Sequence, residues 1–515
     1  MKPPPNIVIF FVDDMGYGDA SCLNPAGKIK TPNIDRLAGE GMKFTDAHST
    51  SAVCSPSRYS VLTGRYNWRS TLQQGIVGVY GDPLIAADRL TVPGFLKQHG
   101  YHTACIGKWH LGQGWDFAAD EDFRPEHGYD QAPAHDLEAT EPQRQRWREA
   151  FVKPTTGGPT KRGFDYYFGV DIPNWPPYCF IENDRTVGVP SEFLPARLLG
   201  GNLASLQGPA MPYWHFEQLL PTWAKKADRY IQERAAAAEP FFLYLPMTSP
   251  HTPLSVNKPF IGKSGLNNLY ADLVIETDDI FGRVLDALEK HGVAGNTLVI
   301  FASDNGCAHY IGAKDMEAQG HFPSGPFRGY KSDAWDGGHR IPCIARWPGV
   351  IEPGSECRDL VCLSDLMATC AEIVGTALPA NAGEDSVSLM PLFRGGPSSR
   401  TTVVHHSIAG KFAIRDGRWK LVLCPGSGGW THNDAAAAKA GLPLVQLYDM
   451  QSDPGELHNL QAEQRGRVRE LVALLKQQVA EGRSTPGPRQ DNDVPVDIWK
   501  LETMPTIPPS ALDDY

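Results

Sequence analysis

Two clusters of residues in this 515-residue chain have the composition and spacing to do chemistry. Asp13 and Asp14 stand side by side at the end of the apolar run Asn6 to Val12, and Ser303-Asp304-Asn305 closes a second run, Thr297 to Ala302. Taken alone, Asp13-Asp14 reads as a solvated turn, because Asp is a common turn residue. Adjacent carboxylates repel, however, and two strand ends offering only oxygen donors suit a hard divalent cation, Ca²⁺ or Mg²⁺. The second cluster is Val53-Cys54-Ser55-Pro56-Ser57-Arg58, followed by Leu62-Thr63-Gly64-Arg65. A lone Cys is ordinarily a core residue. Cys54 instead precedes a helix-like run from Ser57 to Leu62 and sits beside Arg58, so a helix start and a guanidinium both favour an anion there.

The elements that position these residues alternate between strand and helix. Asn6 to Val12 is continuously apolar and rich in β-branched and aromatic residues, the pattern of a strand covered on both faces. Thr31 to Gly41 reads as a helix with Pro32 in its first turn. Helix Val92 to His99, strand Tyr101 to Ile106, helix Tyr213 to Ala238, strand Phe241 to Leu245, helix Asn268 to His291 and strand Thr297 to Ala302 continue the rhythm. The predicted fold class is α/β: a large, mixed but mostly parallel sheet flanked by helices, with a smaller C-terminal antiparallel sheet plus helix. Open sheets of this kind place ligands beyond the carboxyl ends of their strands, where Asp13-Asp14 falls. Gln113 to Arg162 is polar without a sustained period and is expected to be a long surface excursion. After a helical Leu366 to Val374, the Gly-, Pro- and Ser-rich stretch Ala380 to Ser399 reads as a linker, dividing the chain into a large α/β unit, residues 1–395, which holds both clusters, and a smaller α+β unit, residues 396–515. In the second unit, Lys411 to Arg415 and Trp419 to Leu423 flank Asp416-Gly417, a hairpin signal. Leu444 to Tyr448 adds a strand, Glu463 to Glu481 a helix, and the Pro-rich end is expected to be irregular.

Composition excludes several classes. With 41% hydrophobic, 21% charged and 10% aromatic residues, the chain is neither disordered nor collagen-like nor a coiled coil. A net charge of -11 leaves no basic field to steer it to nucleic acid or an anionic membrane. No apolar run approaches the ~20 residues that cross a bilayer. None of the ten Cys forms a Cys-x-x-Cys pair, and Cys357, Cys362 and Cys370 read as plain buried thiols. His48, His99, His309, His321, His339, His405 and His406 carry the bland reading of packed or loop histidines, and the His405-His406 pair lacks further ligands at zinc spacing. Met1-Lys-Pro-Pro-Pro leads into the first strand without a leader pattern, so the chain is expected to be cytoplasmic if complete as written, and periplasmic or secreted if a signal was removed.

Cys54-Ser-Pro-Ser-Arg58 with Leu62-Thr-Gly-Arg65 resembles the signature of the type I sulfatases of the alkaline-phosphatase superfamily, in which a separate enzyme converts the Cys to Cα-formylglycine. The resemblance runs from Asn6 to Asn459. It implies that Asp13, Asp14, modified Cys54, Asp304 and Asn305 hold Ca²⁺, with Mg²⁺ as the alternative. Gly107-Lys108-Trp109-His110-Leu111-Gly112, Ser249-Pro250-His251-Thr252-Pro253, and Lys331 ahead of Trp335-Asp-Gly-Gly-His-Arg340 match further family segments. In isolation Lys108 reads as a surface Lys and His110 as a turn His. Joined to the Cys54 signature, the resemblance assigns catalysis to Cys54, Arg58, Lys108, His110, His251, Asp304 and Lys331.

The chemistry so implied is hydrolysis of sulfate monoesters, including synthetic aryl sulfates. Asp304 takes a proton from the hydrated formylglycine, which attacks sulfur, while His251 and Lys331 assist departure of the alcohol. Lys108 and Lys331 grip the sulfate, Arg58 holds residue 54, and His110 deprotonates the second hydroxyl so that collapse to the aldehyde expels sulfate. The implied partners are a small-molecule or glycan sulfate ester and a formylglycine-generating or other maturation enzyme, with no nucleic acid and no membrane. The nearest alternative is a formylglycine-dependent phosphonate monoester or phosphodiester hydrolase. A binding protein on the same fold is the third reading, and it predicts a broken site. For substrate, Asn67-Trp68-Arg69 and Gln74 to Tyr80 resemble bacterial carbohydrate and arylsulfatase branches, including those acting on 6-sulfated galactose or N-acetylgalactosamine. Asp171, Asn174, Trp175, Glu182 and Arg340 are the candidate substrate contacts, against ordinary loop packing.

Overall fold

Asn6–Asp13 forms the centre of a ten-stranded sheet in the computed structural model, which describes residues 3–116, 131–200, 203–500 and 502. On one side it pairs in parallel with Thr297–Ser303, on the other with Phe241–Pro250, which continues in parallel to His102–Lys108 and Tyr166–Val170. Cys343–Arg346 and Met42–Phe44 extend one edge, the former antiparallel to Thr297–Ser303. The apolar run of the first strand divides between two cores. Val8, Phe10 and Val12 face one layer, and Ile7, Ile9 and Phe11 the other. Helices Leu219–Ala235 and Leu269–Lys290 cover the first layer, with Phe281 against Phe10 at 4.8 Å between ring centroids. Helices Cys54–Thr63, Val92–Gln98 and Leu366–Val374 cover the second. This double burial is why the strand lacks polar alternation.

The expected elements are present, with shifts at their ends. The strand from Phe241 runs on to Pro250, which carries the chain to His251. The helix near Ser57 starts earlier, at Cys54. The excursion from Gln113 to Arg162 needs correcting, because it contains a helix, Glu141–Phe151. Thr140 caps it by accepting from the Gln143 backbone N–H, and Trp147 and Phe151, four residues apart, are its buried face. Residues 117–130 of that excursion lie outside the described ones.

Thr402–His406, Phe412–Asp416, Trp419–Val422 and Gln446–Asp449 form a four-stranded antiparallel sheet, with the hairpin register Asp416 opposite Trp419. Helix Arg465–Glu481 lays Val468, Leu471, Val472 and Leu475 on it. Tyr66 and Trp68, just beyond the Cys54 helix, enter the same apolar cluster. The small sheet is therefore built directly against the segment that bears Cys54. No described helix is long and apolar enough to cross a membrane.

Candidate active site

The carboxyl ends of the parallel strands bring the predicted residues together. Asp13 ends the first strand opposite Pro250, and the Asp304 backbone N–H donates to the Val12 carbonyl at 3.1 Å. Lys108 is the last residue of its strand, and His251 follows the strand beside it. Gly107, at φ 136°, permits this convergence, since a Cβ there would lie 1.9 Å from the Pro246 carbonyl oxygen. Cys54 opens its helix, and Val53 supplies no side-chain cap, so the amides of the first turn stay uncapped by it.

Three buried cations stand on three buried carboxylates. Lys108 Nζ donates to Asp13 Oδ2 at 2.6 Å, Lys331 Nζ lies 2.7 Å from Asp14 Oδ1, and an Arg58 Nη donates to Asp304 Oδ2 at 2.8 Å. The Asp14 backbone N–H donates to Asp304 Oδ1 at 3.1 Å, and Asn305 Nδ2 donates to Asp14 Oδ1 at 2.8 Å. Burial opposes ionisation of Asp13, yet Lys108, His251 and Arg58 hold its carboxyl well below the usual range. Burial and the neighbouring Asp13 push Asp304 up to about 7. Burial and Lys331 push His251 down to about 4, and its Nδ1–H donates to the Thr252 carbonyl at 2.6 Å. Burial, with Lys108 and Arg58, keeps His110 neutral. Its Nε2 is 3.1 Å from the Val77 carbonyl, so that nitrogen carries the proton and the buried, unpartnered Nδ1 is the free base. Burial likewise raises the Cys54 thiol, so the unmodified side chain is not an activated thiolate.

The donor set fits a hard cation. Ligand atoms of Asp13, Cys54 and Asp304 lie within 4.8 Å of one another, as do those of Asp13, Asp14 and His251. Asp13 Oδ1 and Asn305 Oδ1 are buried without a hydrogen bond. Three carboxylates and an amide oxygen are the ligands Ca²⁺ or Mg²⁺ takes. Unmodified Cys54 stands here for its oxygen-bearing derivative, because a protonated thiol is a poor ligand for such ions.

Cys54, Lys108, His110, His251 and Lys331 line one cavity of about 370 Å³ together with Asn174, Trp175, Ile172, Ile76, Tyr310, Ile408 and Trp430. Asn174 and Trp175 thus line the same cavity as Cys54, both side chains donating to the Ala204 carbonyl, at 2.6 and 2.7 Å. The other candidate substrate contacts are corrected. Arg340 does not line the cavity; its Nε donates to the Thr45 carbonyl at 3.0 Å and its Nη1 pairs with Asp46 and Asp336, each at 3.2 Å. Asp171 is also outside the lining; its carbonyl accepts the His110 N–H and burial pushes its carboxyl up to about 6. Glu182 is exposed and accepts from Tyr166 and Lys226.

The Sulfatase family model matches residues 5–376. This chain belongs to the sulfatase family. The family model of the N-sulphoglucosamine sulphohydrolase C-terminal region matches residues 331–485 of this sulfatase. The sulfatase is 31% identical to an N-acetylgalactosamine-6-O-sulfatase of Bacteroides thetaiotaomicron, over 92% of both chains. It is 32% identical to steryl-sulfatase of Mus musculus, over 96% of this chain and 85% of the relative. A solved structure described as concerning the metabolism of multiple glycosaminoglycans by Bacteroides thetaiotaomicron superposes with TM-score 0.77 at 29% identity, covering 92% of this sulfatase and 99% of that chain. The sulfatase is accordingly a sulfuric ester hydrolase. Sequence reasoning missed Tyr310, Ile408 and Trp430 as cavity residues. Trp430 had a signal in retrospect, an aromatic following Gly426-Ser-Gly-Gly429.

Proposed function

We propose that the enzyme removes the 6-O-sulfate of galactose or N-acetylgalactosamine, with Cys54 acting as formylglycine and Ca²⁺ bound by Asp13, Asp14, Asp304 and Asn305. The observation that carries the reading is the convergence of Cys54, Lys108, His110, His251 and Lys331 on one cavity. The similarity to an N-acetylgalactosamine-6-O-sulfatase supports the sugar and the position of the ester. Formylglycine supplies a hydroxyl nucleophile together with a second hydroxyl whose loss of a proton lets the product leave, which a thiol cannot do. A divalent cation supplies fixed positive charge near the sulfuryl oxygens.

The chain's own residues do the rest. Lys108 and Lys331, buried at fixed positions, present two ammonium groups to a sulfate monoanion, and their charge is worth more there than in water. His110, with Nε2–H donated to Val77, offers Nδ1 to take a proton. Asp304, held by Arg58 and the Asp14 amide, is the carboxylate beside position 54. His251 is neutral in the free enzyme, its Nε2 3.7 Å from Asp14 Oδ2. A bound sulfate offsets the field of Lys331, so protonation of His251 accompanies substrate binding and readies it to donate to the leaving oxygen.

Mass spectrometry of the peptide spanning Cys54, from protein co-produced with a formylglycine-generating enzyme, tests the modification. A loss of about 18 Da from the thiol-to-aldehyde conversion is expected, and sulfate release should track the modified fraction. Cys54→Ala should lose at least about 10³-fold in kcat. Full-rate turnover by Cys54→Ala would overturn the reading. Turnover of 6-sulfated over 4-sulfated sugars supports the regiochemistry; turnover of phosphonate esters with sulfate esters inert would instead favour a phosphonate monoester hydrolase.

A further inference from the structure

The cavity lining says what kind of alcohol leaves. Among the described residues, its charged or titratable members are those assigned to the sulfate and the reacting atoms, and Tyr310. Among the described residues no carboxylate and no further cation lines it; Val53, Ile76, Ile172, Trp175, Ala204, Ile408 and Trp430 make the described walls mostly apolar. The volume, about 370 Å³, is at the low end for ligand cavities, which suits one ring.

Ile408 and Trp430 belong to the C-terminal segment, yet they are tied to the residues that follow Lys331. The Trp430 N–H donates to Ser332 Oγ at 3.0 Å, the Ile408 N–H to the Ser332 carbonyl at 3.0 Å, and Thr431 Oγ1 to Asp333 Oδ2 at 2.6 Å. The Ala334 N–H donates to the Ser427 carbonyl at 2.7 Å. These bonds set the indole relative to an ammonium that binds sulfate. Trp430 is 38% exposed, although it meets His309 and Tyr310 at 5.9 and 6.0 Å between ring centroids. An aromatic left this open inside a binding cavity is a surface for a ligand ring.

We infer that Trp430 is a specificity-determining residue: it stacks on the ring of the leaving alcohol, and it does so from the C-terminal segment, without which the substrate cavity is incomplete. The inference rests on the proposed function, in that a pyranose is one such ring; an aryl ring is the other, and the two share the same flat apolar face.

The test measures kcat and KM of the mature enzyme and of Trp430→Ala and Trp430→Phe on galactose 6-sulfate, on 4-nitrophenyl sulfate and on an open-chain alkyl sulfate. For Trp430→Ala, the preference in kcat/KM for ring over alkyl esters should fall about tenfold, mostly through KM, and Trp430→Phe should restore most of it. A preference unchanged in Trp430→Ala, whether all three rates fall together or none falls, would overturn the inference and leave Trp430 a structural support of the Lys331 segment. Failure of the sugar reading is separable: the wild type would then hydrolyse the aryl ester and not the sugar ester, while the effect of Trp430 is still read on the aryl ester.

Discussion

Lys331 and Lys108 illustrate how much of the site is held by individual ion pairs. Each ammonium is buried and meets a carboxylate within 3 Å, so each is fixed before substrate arrives. Lys331→Ala is expected to lower kcat about 10²–10³-fold, because a fixed charge aimed at the transition state is lost. Lys331→Arg should not rescue it, since a guanidinium is planar and larger than the ammonium that fits beside Asp14. Steady-state kinetics checks both, with thermal melts to show that the variants fold. At the same scale, burial and then the neighbouring Asp13 raise the Asp304 carboxyl, so the two carboxylates repel each other although Arg58 pairs with both. Ca²⁺ should relieve that repulsion. Adding it to chelator-treated enzyme is expected to raise Tm by several degrees through binding to the native state alone, and a Tm indifferent to Ca²⁺ would contradict the assigned ligand set. Residue types near Cys54 were legible because their spacing is short and specific. Arg340 was misread because a charged residue near a motif looks functional in sequence, whereas its guanidinium reaches Asp336 one helical turn back and Thr45 and Asp46, which are distant in the chain.

Elements determine where those residues point. Gly107 lets the strand carrying Lys108 pass against Pro246 of the neighbouring strand, and its φ of 136° is one that L-residues rarely adopt. Gly107→Ala is expected to cost about 2–4 kcal/mol of stability, through strain and the clash, and to reduce turnover beyond any loss of folded protein by displacing Lys108 and His110. Urea unfolding and activity per folded molecule separate the two effects; wild-type values in both would show that the strand end can relax. The parallel strands were legible from their continuous apolar runs, and the Asp416-Gly417 hairpin from its turn residues. The helix Glu141–Phe151 was not, because only Trp147 and Phe151 mark its buried face and two apolar residues do not make a visible period.

The junction between the two sheets carries charge that the mechanism does not use. His48 Nε2–H donates to Asp46 at 2.8 Å, His48 and His339 meet through their Nδ1 atoms at 3.0 Å, and the His339 and His405 rings stack 3.7 Å apart. Arg340 and Arg415 pair with Asp46, and Lys420 bridges Asp336 and Glu456 at 2.8 and 2.7 Å. Burial holds all three imidazoles below their ordinary pKa of 6.5, so they are neutral in the folded enzyme. As pH falls below 6.5 the unfolded chain takes up these protons and the folded one does not, so stability is lost in that direction. Glu456, pushed up to about 7 by burial, opposes this by one proton, because it is protonated in the fold where the unfolded chain releases it. Within this cluster the net is two protons, or about 3 kcal/mol per pH unit at most, between pH 6.5 and the folded pKa values; elsewhere His251 and His406, held down by burial to about 4 and about 3, add to the loss, and Asp171 and Asp278, pushed up by burial to about 6, oppose it. Chemical denaturation with Ca²⁺ present at pH 7.5 and 5.5 should show lower stability at 5.5; equal or greater stability there would contradict neutral burial of the histidines.

The α/β class, the strand ends that carry Asp13, Asp14 and Asp304, and the Cys54 signature can be read from the amino-acid order alone, because each is written in a local pattern of apolar runs, turn residues or short spacings. That order could not say that Tyr310, Ile408 and Trp430 share a cavity with Cys54. That arrangement depends on the small sheet packing against Tyr66 and Trp68 and on the backbone bonds of Ile408 and Trp430 to Ser332. Contacts between residues tens to hundreds of positions apart leave no periodicity to read, and only the folded chain brings them together.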